Sequence, residues 1–225
     1  MSVVFDAKSQ AAGWSGAASG VLGTWNHTPT GTPTGIIVGV VNYNGFGASG
    51  VTISVTYGGT SMGVAAINQT TYGVNGTFSI FGLVNPASGT QSVVVTSVDG
   101  NQGDYGSAFA ISVTGSDLTT IFRNTSPTTN TGTSISNGFS SASGDLLIDF
   151  VTAATGTDTI SSPGAGQTLT QLTGNPATAF SYASSSGSSV TMTEALSPSD
   201  QWWSNAVSVK SAGGGGTTKV LILAH

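Results

Sequence analysis

The chain has 225 residues but only four Lys or Arg, nine Asp or Glu, two His and no Cys, for a net charge of −5. Without cysteine there is no disulfide and no thiolate metal site; four scattered bases (Lys8, Arg123, Lys210 and Lys219) and a pI near 4.4 give no basic patch for nucleic acid. A hydrophobic content of 38 % excludes a disordered chain, and the Gly, Ser, Thr and Asn that stand where charges would be are the material of strands and turns.

Alternation with a period of two recurs along the chain and predicts strands at residues 2–6, 20–27, 35–42, 51–57, 62–68, 77–84, 91–98 and 107–114. Further strands are predicted at 145–152, 167–172, 178–183, 189–194 and 202–210. Turn pairs separate them, among them Asn44-Gly45, Asn75-Gly76, Asn85-Pro86, Asp99-Gly100, Asn137-Gly138 and Asn175-Pro176. The apolar runs at 35–41 and 146–151 read as central strands covered on both faces. A single helical turn is predicted over 116–123, with Ser116 as its cap and Asp117 near its positive end. Residues 125–136, rich in Ser, Thr, Asn and Gly, read as a surface crossover or an extended edge segment, with a domain boundary as the third alternative. About a dozen short strands predict an all-β jelly-roll sandwich over residues 1–211, and a chain of this length buries roughly 70 % of its unfolded surface without staples.

Residues 212–225 form a second region. Four glycines at 213–216 make a flexible linker. Val220, Leu221, Ile222 and Leu223 follow, apolar on both faces. Two readings fit them: a last strand folded back on its own sandwich, or an arm that docks on a neighbouring subunit by strand addition. The chain starts with neither a basic nor an apolar leader, which predicts no cleavable signal, and no apolar run approaches the ~20 residues of a membrane span. A surface of hydroxyls and amides carries little like-charge repulsion, which predicts self-association.

Several segments resemble a phage-associated jelly-roll module of minor tail and capsid-decoration proteins. They are Val4-Phe5-Asp6-Ala7, Thr24-Trp25-Asn26-His27-Thr28, Gly35-Ile36-Ile37-Val38-Gly39-Val40 and Val51-Thr52-Ile53-Ser54-Val55-Thr56-Tyr57-Gly58-Gly59. Leu83-Val84-Asn85-Pro86, Gly89 to Thr96, Val113 to Asp117, Gly144 to Asp149 and Trp202 to Lys210 continue the series in order. The resemblance implies a jelly roll, a virion location, other virion proteins as partners, a homo-oligomer and no catalytic residues or cofactor. The glycine-rich arm lies outside the common pattern. A carbohydrate-binding module that recognises host-surface glycans is the alternative.

Trp202 and Trp203 point to opposite faces of one strand, so one is expected in the core and the other facing outward or meeting a neighbour. With Tyr43 and Tyr57 they are candidates for glycan stacking or interface contact; Phe46, Tyr72, Tyr105 and Tyr182 also lie near predicted loops or strand ends. Asp145 and Asp149 lie ~13 Å apart on one strand face, too far for joint acid–base work, and are expected to cap a turn and sit at a rim, respectively. The stretch from Asp99 to Asp104 has alternating oxygen ligands but no closing Glu, and reads as a hairpin loop before a calcium site. His27 shares a strand face with Trp25 and is expected to be packed or hydrogen-bonded. Gly59-Thr60-Ser61-Met62-Gly63 has the Gly-x-Ser-x-Gly spacing, but it lies between two predicted strands with no helix after it and so does not read as a nucleophile elbow.

Overall fold

The computed structural model describes residues 1–44, 52–72, 76–172 and 175–213, with backbone alone at 17–19, 44, 64–72 and 99–104. The strands are β1 (Val4–Gln10), β2 (Trp14–His27), β3 (Gly35–Asn44), β4 (Thr52–Tyr57), β5 (Thr60–Ser61), β6 (Gly63–Tyr72), β7 (Gly76–Val84) and β8 (Gln91–Thr114), followed by β9 (Phe122–Ser140), β10 (Leu146–Ala153), β11 (Thr159–Ser161), β12 (Thr168–Gln171), β13 (Thr178–Ser184) and β14 (Ser189–Val209). The fold is an all-β, antiparallel jelly-roll sandwich. The first half of the chain builds one sheet, in the order β5-β4-β8-β3-β7-β6 with β1 and β2 also on β8. The second half builds the other, in the order β11-β14-β10-β13-β12 with β9 on β14.

Two long strands organise these sheets. β8 runs first between β2 and β4, then between β1 and β3. β14 pairs near its start with the end of β9 and with β11, then runs between the start of β9 and β10. Each long strand passes from an outer layer into a central one. In β2 the passage is marked by successive register shifts between Ser15 and Gly20, with Gly16 and Gly20 at φ 67° and 124°. Such bulges bend a paired ladder without breaking it. The turn expected at Asp99-Gly100 is therefore absent, and the backbone there continues as strand. The β9–β14 pair bends in the same way between Ala195 and Asp200, opposite Gly132 at φ 149°.

Alternate residues show the layering. Ile37 and Val41 of β3 join Phe78, Phe109, Leu146, Ile148, Phe150 and Phe180 in the core between the two central layers. Ile36, Val38 and Val40 of β3 face the other way, against Val55, Tyr57, Val93 and Val95. On β10, Leu146, Ile148 and Phe150 face the inter-sheet core, whereas Leu147 and Val151 pack under β9, β11 and the start of β14. Both apolar runs are thus central strands buried on two faces, as their composition predicts.

Two local expectations differ. Residues 116–123 form no helical turn: Ser116 bridges Ser211, and Asp117 Oδ1 accepts the backbone N–H groups of Thr119 and Thr120. Asp117 thus supplies the capping chemistry in an Asx-type turn. Residues 125–136 form an extended edge segment, the greater part of β9.

Candidate functional site

Trp202 and Trp203 do point to opposite faces, but each is only 2 % exposed. Trp203 enters the inter-sheet core, and Trp202 packs with Ile135, Val151, Ile160 and Leu196. The expectation of one outward ring fails because the bent ends of β9 and β14 cover the outer face of the second sheet. Tyr57 is 1 % exposed in the outer core of the first sheet, and Tyr43 is half-buried against the inter-sheet core. Trp202, Trp203 and Tyr57 therefore offer no stacking platform. Val220, Leu221, Ile222 and Leu223 lie outside the described residues, as do Phe46 and the side chains of Tyr72 and of 99–104.

His27 has a partner that sequence spacing did not reveal. β1 and β2 both lie along β8, which brings Ser9 to it. Trp25 Nε1 donates to Ser9 Oγ at 2.9 Å, and Ser9 Oγ lies 2.8 Å from His27 Nδ1. Ser9 Oγ thus bridges the Trp25 indole and the His27 imidazole. Burial holds the His27 pKa down to about 4, against the opposing pull of Asp6. The cluster is structural: a base this reluctant to take a proton is ill suited to activating Ser9.

Asp145 caps its turn, as expected, by accepting Ala142 N–H at 3.0 Å. It is also fully buried and receives Arg123 Nε at 2.5 Å, Ser208 Oγ at 2.7 Å and Ser211 N–H at 2.9 Å. Burial pushes its pKa up, but the hydrogen bonds led by Arg123 outweigh it, and the net shift is downward. Asp149 is not at a rim. The outer layer of the second sheet closes over it, leaving no exposure.

Beside Asp149 lies a buried polar cluster. Asp149 is registered opposite Ser181 on β13, and Glu194 comes down from the overlying part of β14. Ser204 Oγ donates to Asp149 Oδ1, and Asn137 Nδ2 donates to Ser204 Oγ at 2.7 Å. Ser181 Oγ donates to Glu194 Oε1 at 2.5 Å, and Gln167 Nε2 reaches the same Oε1 at 3.0 Å. Asp149 Oδ2 and Glu194 Oε2 have no hydrogen-bond partner among the described residues. Burial and then the Glu194 charge raise Asp149 well above the usual carboxylate range. Burial raises Glu194 too, against the hydrogen bonds of Ser181 and Gln167. Asp149 holds the proton of the pair, because Glu194 has two donors on its charged form. Gln167, Ser181 and Glu194 are far apart in sequence and share no motif, so no sequence signal marked them.

The surface offers edges. β12, four residues long, pairs only with β13 among the described residues, and β1 pairs only with β8. The two edges lie on the same side of the sandwich, where Phe5 stacks on Tyr182 at 4.2 Å and Lys8 Nζ donates to Thr170 Oγ1 at 2.6 Å. Between them is an open cleft of about 270 Å³, lined by Lys8, Ser9, Gln10, Thr170, Gln171 and Phe180. Among the described residues no group of three or more His, Cys, Asp or Glu is placed to hold a metal.

No family model matches the chain, and no curated protein matches it significantly.

Proposed function

We propose that this chain is a non-enzymatic structural component of a bacteriophage particle, at the tail or on the capsid, which docks on other virion proteins and on copies of itself. One observation carries the reading: the outer faces of both central layers are covered by the chain's own bent strands, so backbone pairing along the open edges is the main chemistry left for association. The hydroxyl-rich, weakly charged surface favours the same use, and the order of the resembling segments supports a virion role. Val220, Leu221, Ile222 and Leu223, tethered by the glycine linker, are the segment proposed to add to a neighbour's edge.

The test is deletion of residues 213–225. The truncated protein is expected to fold and to be missing from assembled particles; incorporation at the normal copy number rules out the arm as the docking element. Glycan binding is the weaker reading, since Trp202, Trp203 and Tyr57 are core residues. A glycan array with the full chain tests it directly.

A further inference from the structure

We infer that Ser181 Oγ and Gln167 Cδ join in an intramolecular ester, the Gln167 amide nitrogen leaving as ammonia and Glu194 carrying the proton. This goes beyond the proposed virion role and does not depend on it.

The groups needed are assembled at one buried point. Ser181 is fully buried and donates its hydroxyl proton to Glu194 Oε1 at 2.5 Å. Its Oγ lies 3.0 Å from Gln167 Nε2, one bond from the carboxamide carbon. Gln167 Nε2 lies 3.0 Å from the same Glu194 oxygen. On the other side of the amide, Gln167 Oε1 accepts the backbone N–H of Thr193 at 3.0 Å. The loop holding Gln167 is pinned against β14, since Gly164 N–H donates to Thr193 O at 2.8 Å and Gln167 N–H to Gly164 O at 3.0 Å. Nucleophile, amide and proton carrier are therefore in mutual hydrogen-bond contact, and the oxyanion donor sits on the amide oxygen.

The step balances without any outside reagent. Glu194 takes the Ser181 hydroxyl proton as Oγ bonds to Gln167 Cδ, and negative charge develops on Oε1, where Thr193 N–H already points. The Cδ–Nε2 bond then breaks. Glu194 returns the proton to the leaving nitrogen, giving ammonia and an ester; nothing is oxidised or reduced. A single carboxylate oxygen touches both the oxygen that loses the proton and the nitrogen that gains it. Burial raises the Glu194 pKa, which strengthens it as a base. Neutral Asp149 beside it leaves Glu194 as the ionised member of the pair. Burial also keeps water from the ester once formed. The bond would fasten the loop before β12, the shortest strand of the second sheet after β11, in a chain with no cysteine.

Intact-mass measurement of the full chain tests this. The wild type is expected to be lighter than its sequence by one ammonia, with fragment ions that keep residues 167 and 181 linked. Ser181→Ala and Glu194→Gln are each expected to restore the full mass. A wild-type mass equal to the sequence overturns the inference. So does an ammonia loss that persists in Ser181→Ala, since Asn-Gly pairs such as Asn137-Gly138 lose ammonia by ring closure on their own. Fragmentation of the wild type decides the matter even where a variant fails to fold.

Discussion

Asp145 immediately precedes β10 and Asp149 lies in its middle, four residues on; both are fully buried, yet their pKa values move in opposite directions. Donors decide the difference. Asp145 collects Arg123, Ser208, Ser211 and Ala142, whereas Asp149 has Ser204 and a second carboxyl facing it. Because the folded-state pKa of Asp145 is lowered, its contribution is present above the unfolded value near ~4 and is lost as pH falls through the folded value. Asp145→Asn is expected to lower stability by about 2 kcal/mol near neutral pH, measured by urea unfolding, with the gap closing in acid. The sign reverses for Asp149. Its folded-state pKa is raised, so its contribution is full below ~4 and is lost as pH rises toward the folded value. Asp149→Asn, which imitates the protonated acid, is expected to melt higher than wild type at about pH 8 and with little difference at about pH 4. A gap of the same size at both pH values would falsify the assignment of the proton to Asp149.

At the scale of the element, β3 shows how little room the central layers leave. A methyl added at Gly39 overlaps the ring of Phe109, which is itself held between Phe180 at 4.4 Å and Phe150 at 4.8 Å. Gly39→Ala is expected to destabilise by about 1–3 kcal/mol through overpacking, read as a shift in urea midpoint at unchanged slope; an unmoved midpoint shows that the ring can give way. The long strands teach a different lesson. Asp99-Gly100 is a strong hairpin signal in isolation, but β2 follows β8 past it with bulges that absorb the bend. Residues 125–136 lack an apolar alternation because β9 lies at an edge and most of its side chains there are exposed or half-buried. An edge strand needs its neighbour's backbone more than a buried face, so its sequence carries a weak strand signal.

At the scale of the whole molecule, each half of the chain supplies one sheet, while the inter-sheet core takes Ile37, Phe78 and Phe109 from the first half and Ile148, Phe150 and Trp203 from the second. Neither half covers that face alone. A fragment ending at residue 116 is expected to show no cooperative thermal transition and to aggregate, checked by calorimetry and light scattering; a sharp transition in the fragment would mean that the first sheet and its outer layer suffice. Asn205 Nδ2 donates to Phe78 O at 2.9 Å across the sandwich, a buried polar tie between the halves that fixes how the sheets lie on each other.

Composition and period-two patterning were enough to determine that the chain is all-β and which apolar runs are central, because both follow from the local pleat and from which side chains avoid water. They also located most strand cores to within a few residues. The tertiary structure alone decided which faces are covered twice. That is why neither Trp202 nor Trp203 faces outward, and why Asp149, read as surface or rim, is interior: other strands bend over them. It alone brought Ser9 to His27, and Gln167, Ser181 and Glu194 to one another. Such meetings depend on register and layer order, which are set by long-range pairing and leave no mark in the spacing of the residues that meet.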